Sequence, residues 1–569
     1  MKKSNLFSFC FALLVLLVGC SDEFTESPAV GALSDSALAN EAGLDLLLTG
    51  AYSSLNAVSA TSYGNGWGRA ADNWWIDTLT DNAHKGSTND DQADLLAMEI
   101  MNWSSNNGYF FARWGELFTL VNRSNAVIAL VNTFENPDDF SDQVGQARFL
   151  RGVANFQLQV MFGNVPFISA ENYAASEFNQ PNSGPIWDQI EADFQFGADN
   201  LPNTRDASNV GRPTSWTAKA FLGKTHLHQS DWATALGVFQ DVINNGPYSL
   251  LTEFADNFRL VGENGSESVF QIQFTTDAGQ SFNANQVGAL NFPNPGPFGS
   301  CCGFYQPSQD LLNAFQTDGA GLPLLDTFNQ TDVTSDWGLV DSDPFTPFAG
   351  NLDPRADYTV GRRGIDYNGY GAHVGESWIR AKFANNDLSG PYLPKKNVYW
   401  ADEAETQQAT GPWGQQLSGV NYNMMRYADV LLMAAEAAIE TGDLATGLNY
   451  VNQVRNRAKN SSYVQATDGS GDAATYVIEP YGAFADAAFA RQAVRHERRL
   501  ELGMEGHRMF DLRRWGNTMD VLTAYFANEE RTIPGMSLVN PYEARYDLFP
   551  IPLGAIDLST GALTQNPGY

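Results

Sequence analysis

Two short stretches of this chain, 212 residues apart (222 to 434), place small residues where a pair of helices must touch. The first is Leu222-Gly223, His226, Ala235, Phe239 and Pro247; the second is Ala434-Ala435, Ala438, Gly447, Val451 and Val454. A helix–turn–helix unit of this kind repeats every ~34 residues and cannot bury its apolar face alone. It needs a neighbour stacked against it. Two units so far apart therefore predict a helical scaffold that the chain leaves for a long excursion and then rejoins.

The spacing is that of the tetratricopeptide pattern, with His226 where Tyr is usual. The pattern specifies packing and no chemistry. Upstream, Ala37 to about Ser169 reads as mainly helical, since Trp114, Leu117, Phe118, Val121, Asn125 and Ile128 recur at steps of three and four. Gln146 to Phe162 repeats that periodicity and stops at Phe162-Gly163-Asn164-Val165-Pro166. Between the two units, at about 250–420, Gly, Pro, Asn and aromatics take over, as in Asn291-Phe292-Pro293-Asn294-Pro295-Gly296-Pro297-Phe298-Gly299. Such texture forms loops and short strands, and loops on a rigid frame commonly carry binding residues.

The first residues give a destination. Lys2 and Lys3 precede an apolar run from Leu6 to Val18, which ends in Leu17-Val18-Gly19-Cys20. This is the order of an export signal, and the run is shorter than the ~20 residues a spanning helix needs. Leu-Val-Gly-Cys resembles the bacterial lipobox, in which cleavage leaves Cys20 as a diacylated N-terminus. An ordinary secretory signal with Cys20 incidental is the alternative. The polar Ser21, Asp22 and Glu23 that follow at once favour the lipid. The expected organisation is a signal peptide at 1–19, a lipidated tether at 20–35 and one domain at 36–569. No later stretch approaches spanning length, so attachment is expected through acyl chains alone.

Loss of residues 1–19 removes two lysines and takes the formal charge from −32 to −34. Such a field repels nucleic-acid phosphates, and no basic stripe offsets it, so nucleic acid is excluded as a partner. It leans toward neutral ligands over polyanionic ones. Beyond Cys20 only Cys301 and Cys302 carry thiols. Neighbouring Cα atoms ~3.8 Å apart lie below the usual disulfide spacing. The pair is either a vicinal disulfide formed in an oxidising compartment or two buried free thiols.

Motifs for catalysis and cofactors fail on inspection. Gly223-Lys224-Thr225 lacks the upstream glycine of a phosphate loop, Ala218 standing there. Asp468, Ser470, Asp472 and Glu479 match positions of a calcium loop, but Ala473 occupies the turn glycine's place, which reads as a surface loop. The six histidines show no metalloprotease spacing, and nothing singles out a catalytic pair among 65 acidic residues. No enzyme, cofactor or metal is expected.

From Arg495 the chain reads Arg495-His496-Glu497-Arg498-Arg499-Leu500-Glu501-Leu502-Gly503-Met504-Glu505-Gly506-His507-Arg508. It continues Met509-Phe510-Asp511-Leu512-Arg513-Arg514-Trp515-Gly516. With Phe549-Pro550-Ile551-Pro552 and the terminal Gln565-Asn566-Pro567-Gly568-Tyr569, this closely resembles the C-terminal signature of the SusD/RagB family of outer-membrane nutrient-uptake lipoproteins. Asn423-Met424-Met425-Arg426-Tyr427-Ala428-Asp429 and Arg148-Phe149-Leu150-Arg151 are similar to further family segments. The resemblance implies a mostly α fold, with four tetratricopeptide-like hairpins supporting a loop-rich insertion with short strands. It also implies a role: capturing glycans at the cell surface and delivering them to a TonB-dependent transporter of the SusC type, over which the lipoprotein sits as a lid. The charged motifs themselves read as structural. Glu505 and Arg508 lie three apart, as do Asp511 and Arg514, which permits pairing on a helical face.

A glycan site needs flat aromatics for the apolar sugar faces and amides or carboxylates for the hydroxyls. The segment Gly64 to Asp91 has that makeup in Trp67, Asp72, Asn73, Trp74, Trp75, Asp81 and Lys85. Adjacent tryptophans cannot both face a core across one helix, so one of Trp74 and Trp75 is expected to be at least half-exposed; otherwise one packs in the core and the other covers a loop. Phe304, Tyr305 and Trp337, near Cys301-Cys302, form a second candidate surface, and Trp378 with Arg380 is open to either a core or a binding role. A peptide-capturing or structural lipoprotein, and less so a surface glycan-degrading enzyme, are the competing readings.

Overall fold

The computed structural model describes residues 38, 40–58, 63–276, 281–299, 301–382 and 387–569. The signal peptide, Cys20 and the 20–35 tether lie outside the described residues. The chain divides into units 1–47 and 48–569. Apart from the start of a helix at Glu41–Ser53, every element below belongs to the second.

The scaffold is a row of helices: α1 (Gly108–Val131), α2 (Ser141–Phe162), α3 (Trp187–Asn200), α4 (Ser215–His228), α5 (Trp232–Asn245), α6 (Tyr427–Glu440) and α7 (Leu444–Asn460). Each packs on the next, and α8 (Ala487–Leu502) closes on α6 and α7. α2 stops at Phe162, where Gly163 takes φ +73°. The two hairpins read from the sequence are α4–α5 and α6–α7. Each hairpin has one glycine at a close approach: a Cβ on Gly223 would lie 2.6 Å from the Phe239 ring, and one on Gly447 2.7 Å from Ile439. α9 (Arg508–Trp515) and α10 (Thr518–Glu529) follow.

The loop-rich insertion holds short strands: β2 (Ser268–Ile272), β3 (Phe304–Pro307), β4 (Gln408–Thr410), β5 (Gln416–Ser418) and β6 (Tyr422–Arg426), while β1 (Ala83–Gly86) precedes the scaffold. β2 and β6 pair antiparallel, from Ser268 opposite Arg426 to Ile272 opposite Tyr422. The first and last strands of the excursion thus close its neck, which is why α5 and α6 can stack as neighbours. Inside the insertion Phe292, Phe298, Tyr367, Leu393, Val398 and Tyr399 build a small apolar core of their own. β3 joins β1 antiparallel and ties the insertion to the N-terminal segment.

Below the neck lies a buried ionic network. Arg426 meets Glu267 at 3.0 Å, Glu505 at 2.9 Å and Glu501; Arg457 meets Glu267 at 2.8 Å and Glu501. Arg355 spans Asp353, Glu497 and Glu501 at 2.7–2.9 Å, Arg455 holds Glu497 at 2.8 Å, and Lys396 holds Glu505 at 2.7 Å. Five cations balance five carboxylates. Burial alone would raise the Glu501 carboxyl, but Arg457, Arg426 and Arg355 together hold it well below its ordinary value. This confirms the expected structural use of the C-terminal motif, with one correction. Asp511 and Arg514 pair at 2.8 Å, but Glu505 and Arg508 do not share a helix. Gly506, at φ +75°, breaks the chain between α8 and α9, so Glu505 turns to Arg426 and Lys396 while Arg508 turns to Asp81. A Cβ on Gly506 would lie 2.2 Å from the Asp72 carbonyl oxygen.

Candidate functional site

Most of the aromatic and polar stretch after Gly64 is interior. Trp74 and Trp75 are both fully buried, which corrects the expectation that one would reach the surface. They stand on a single helical turn, Trp74–Asp77, rather than a long helix with an outer face. That turn is wedged between two layers. Trp74 meets Phe304 and Tyr305 of β3, and Trp75 meets Tyr109, Phe110 and Phe549. Phe304 and Tyr305 are therefore also core, because the β1–β3 pairing is covered on both faces.

The polar candidates are consumed by the fold. Asp81 is held by Arg508 at 2.7 Å and Arg499 at 3.2 Å. The Asp72 carboxylate accepts from the Trp74 N–H, and burial pushes its carboxyl up to about 6. Asn73, buried, supplies the left-handed entry to the turn at φ +54°. The Lys85 ammonium donates to the Gly86 and Thr88 carbonyls over the Phe304 ring, with burial lowering it to about 8. Trp337 is half-buried against the core. In the loop offered to calcium, Glu479 pairs with Lys459 at 2.6 Å, and no metal-binding group of three side chains occurs among the described residues.

Trp67 is different. It sits half-buried on a short 3-10 turn, Gly66–Arg69, whose N-cap is Asn65. Its inner side rests on Ala284, Ala289, Ala409 and Leu417. Its ring meets Trp413 edge-to-face, with centroids 5.7 Å apart and planes at 79°. Trp413 is 56% exposed, at the turn of the β4–β5 hairpin. It lies in Gly411-Pro412-Trp413-Gly414, and an aromatic carried on a Gly-Pro turn was the available signal for an exposed ring.

A polar chain runs from this pair toward the cysteines. The Asn65 amide donates to Gln92 at 2.9 Å. Next to it, Asp91 pairs with Arg380 at 2.7 Å, and Arg380 donates to the Cys302 carbonyl at 3.1 Å. Asp91 and Arg380 are each about one-third exposed. Cys301 and Cys302 lie side by side, Cys301 half-buried and Cys302 buried. The Cys302 and Gly303 N–H groups both donate to the Phe292 carbonyl, which fixes the segment. Trp378 lies against Tyr367 and His373 on the small insertion core. Two aromatic rings are thus joined, through the Asn65 and Gln92 amides, to a carboxylate and a guanidinium. That set suits a ligand with both apolar faces and hydroxyl edges.

Scaffold and insertion define a helical-repeat protein that presents a loop-borne aromatic surface. The model of the SusD family matches residues 266–569, and a model described as "Starch-binding associating with outer membrane" matches residues 33–227. The chain belongs to the SusD family. SusD-like protein P2 of Formosa agariphila is 26% identical over 576 residues, covering 98% of each chain. A SusD homolog of Bacteroides thetaiotaomicron superposes with TM-score 0.69 at 21% identity, covering 94% of this chain and 99% of that one. Surface glycan-binding protein A of Bacteroides thetaiotaomicron, solved in complex with laminarihexaose, does so with TM-score 0.63 at 19% identity, covering 92% and 99%. These neighbours establish the fold. Among the described residues no helix is long and apolar enough to cross a membrane.

Proposed function

We propose that this protein is a glycan-binding lipoprotein of the cell surface, which captures poly- or oligosaccharide without cleaving it. It would be anchored to the outer membrane through Cys20, with 1–19 removed, 20–35 as tether and the rest as one domain. It would pass its cargo to a SusC-like TonB-dependent transporter. The observation that carries the reading is the Trp67–Trp413 pair, a partly exposed aromatic corner linked through Asn65 and Gln92 to the Asp91–Arg380 pair. The family description and the laminarihexaose bound to a protein of this fold support a glycan as the ligand class.

Affinity electrophoresis against a panel including starch and laminarin tests this. Trp413→Ala is expected to weaken retention roughly 30-fold, since truncating a central aromatic contact costs about 2 kcal/mol. Trp67→Ala should do the same, and Trp337→Ala should not. Retention unchanged in both Trp413→Ala and Trp67→Ala would remove this surface from consideration. Cys20→Ala should spare binding in vitro while slowing growth of cells on the cognate glycan; equal growth would count against the anchored-lid arrangement.

A further inference from the structure

A second cavity, of about 480 Å³, opens among α8, α9 and α10 on elements that take no part in the Trp67–Trp413 surface. Its lining includes Arg491, Arg495, Arg499 and Arg508, with Asp81 and Asp310 as the acidic members. Three of the four guanidiniums are answered. Arg499 pairs with Asp310 at 2.8 Å and Asp81 at 3.2 Å, Arg508 with Asp81 at 2.7 Å, and Arg491 with Glu440 at 2.6 Å.

Arg495 is not. No carboxylate among the described residues lies within ion-pair distance of it, and its buried Nε has no hydrogen-bond partner. Its guanidinium lies 4.9 Å over the Trp515 ring. Glu436, the nearby acid, is already committed to Arg514 and to the Trp515 indole N–H. On the same lining the Asn517 Oδ1 is also buried and without a partner. A buried polar group left unmatched costs about 1–3 kcal/mol, more when charged. Here a half-exposed arginine with no carboxylate partner among the described residues lines an open cavity, in a chain of formal charge −32.

We propose that this cavity binds the oxyanion group of an acidic saccharide, with the half-exposed Arg495 guanidinium taking the oxyanion and the Asn517 side chain bordering it. The cavity volume suits one sugar residue. The overall negative field would repel such a ligand, so an acid-specific subsite requires a local excess of positive charge, and Arg495 supplies it.

Calorimetric titration of the mature chain with glucuronate, glucose 6-sulfate, glucose and inorganic sulfate tests the proposal. One or both acidic sugars should bind, and which one does identifies the oxyanion as carboxylate or sulfate ester. Arg495→Gln should weaken that binding at least tenfold. Asn517→Asp should do likewise by setting a carboxylate against the ligand, and as an N-cap of α10 an Asp is compatible with the fold. Trp67→Ala with Trp413→Ala should leave acidic-sugar binding intact, so a failure here and a failure of the glycan surface are separable. Four results would overturn the proposal: glucose bound as tightly as the acids, inorganic sulfate the sole ligand bound, neither Arg495→Gln nor Asn517→Asp having an effect, or acidic-sugar binding lost with the tryptophans.

Discussion

Replacing Glu501 with Gln preserves shape and removes one charge from the centre of the buried network. Glu501 contacts Arg355, Arg426 and Arg457, and all four side chains are at most 3% exposed. In the native network ten charged residues cancel: Arg355, Lys396, Arg426, Arg455 and Arg457 against Glu267, Asp353, Glu497, Glu501 and Glu505. The substitution leaves one guanidinium unmatched where water cannot reach it, and its amide N–H groups face three donors. Breaking one member of a buried pair costs about 3–5 kcal/mol, a large part of the ~5–15 kcal/mol that holds typical proteins folded. Urea denaturation followed by tryptophan fluorescence should show a midpoint shift of that size without a change in slope. Glu479→Gln, which breaks the exposed pair with Lys459, is the control and should cost at most about 1 kcal/mol. The effect should depend on pH in one direction. A carboxylate held below its ordinary value stabilises fully above about pH 4.5, and that contribution is lost as pH falls toward its folded-state pKa. The gap between wild type and Glu501→Gln should therefore narrow below pH 4.5. A shift under about 1 kcal/mol at pH 7, or a gap that widens in acid, would refute the reasoning.

His84 gives the opposite pH signature. It lies buried between Glu99 at 3.0 Å and Glu529 at 3.3 Å; burial opposes its charge, but the two carboxylates overcome this and raise it to about 9. Its contribution, on the order of 3 kcal/mol, is complete below about pH 6.5 and is lost as pH rises toward 9; His84→Gln should flatten urea stability between those values. Gly506→Ala should lower stability by several kcal/mol, since it combines a left-handed φ with a Cβ placed 2.2 Å from Asp72 O, and thermal melting would expose it. Alkylation of the denatured chain, read by mass spectrometry, should label Cys301 and Cys302 only after reduction.

The sequence by itself determined the scaffold. Small residues at Gly223 and Gly447, helical periodicity through Trp114 and Ile128, and the charged run from Arg495 are local signals, and helices are made by local contacts. Tertiary structure alone decided which aromatics reach the surface. Trp74 and Trp75 lie in a polar-looking stretch beside Asp72 and Asp77, yet the α1 and β3 layers enclose them, and no local pattern encodes an enclosure completed by Phe304, Tyr305 and Phe549, more than 200 positions away. Trp67 and Trp413 are nearly 350 residues apart and meet because the closed β2–β6 neck and the β4–β5 hairpin bring the far end of the insertion back to the N-terminal segment. The charges divide in the same way. Composition states how many there are, but only the packed molecule shows that Glu501 is saturated and Arg495 is not, because pairing depends on distances across helices that sequence spacing does not fix.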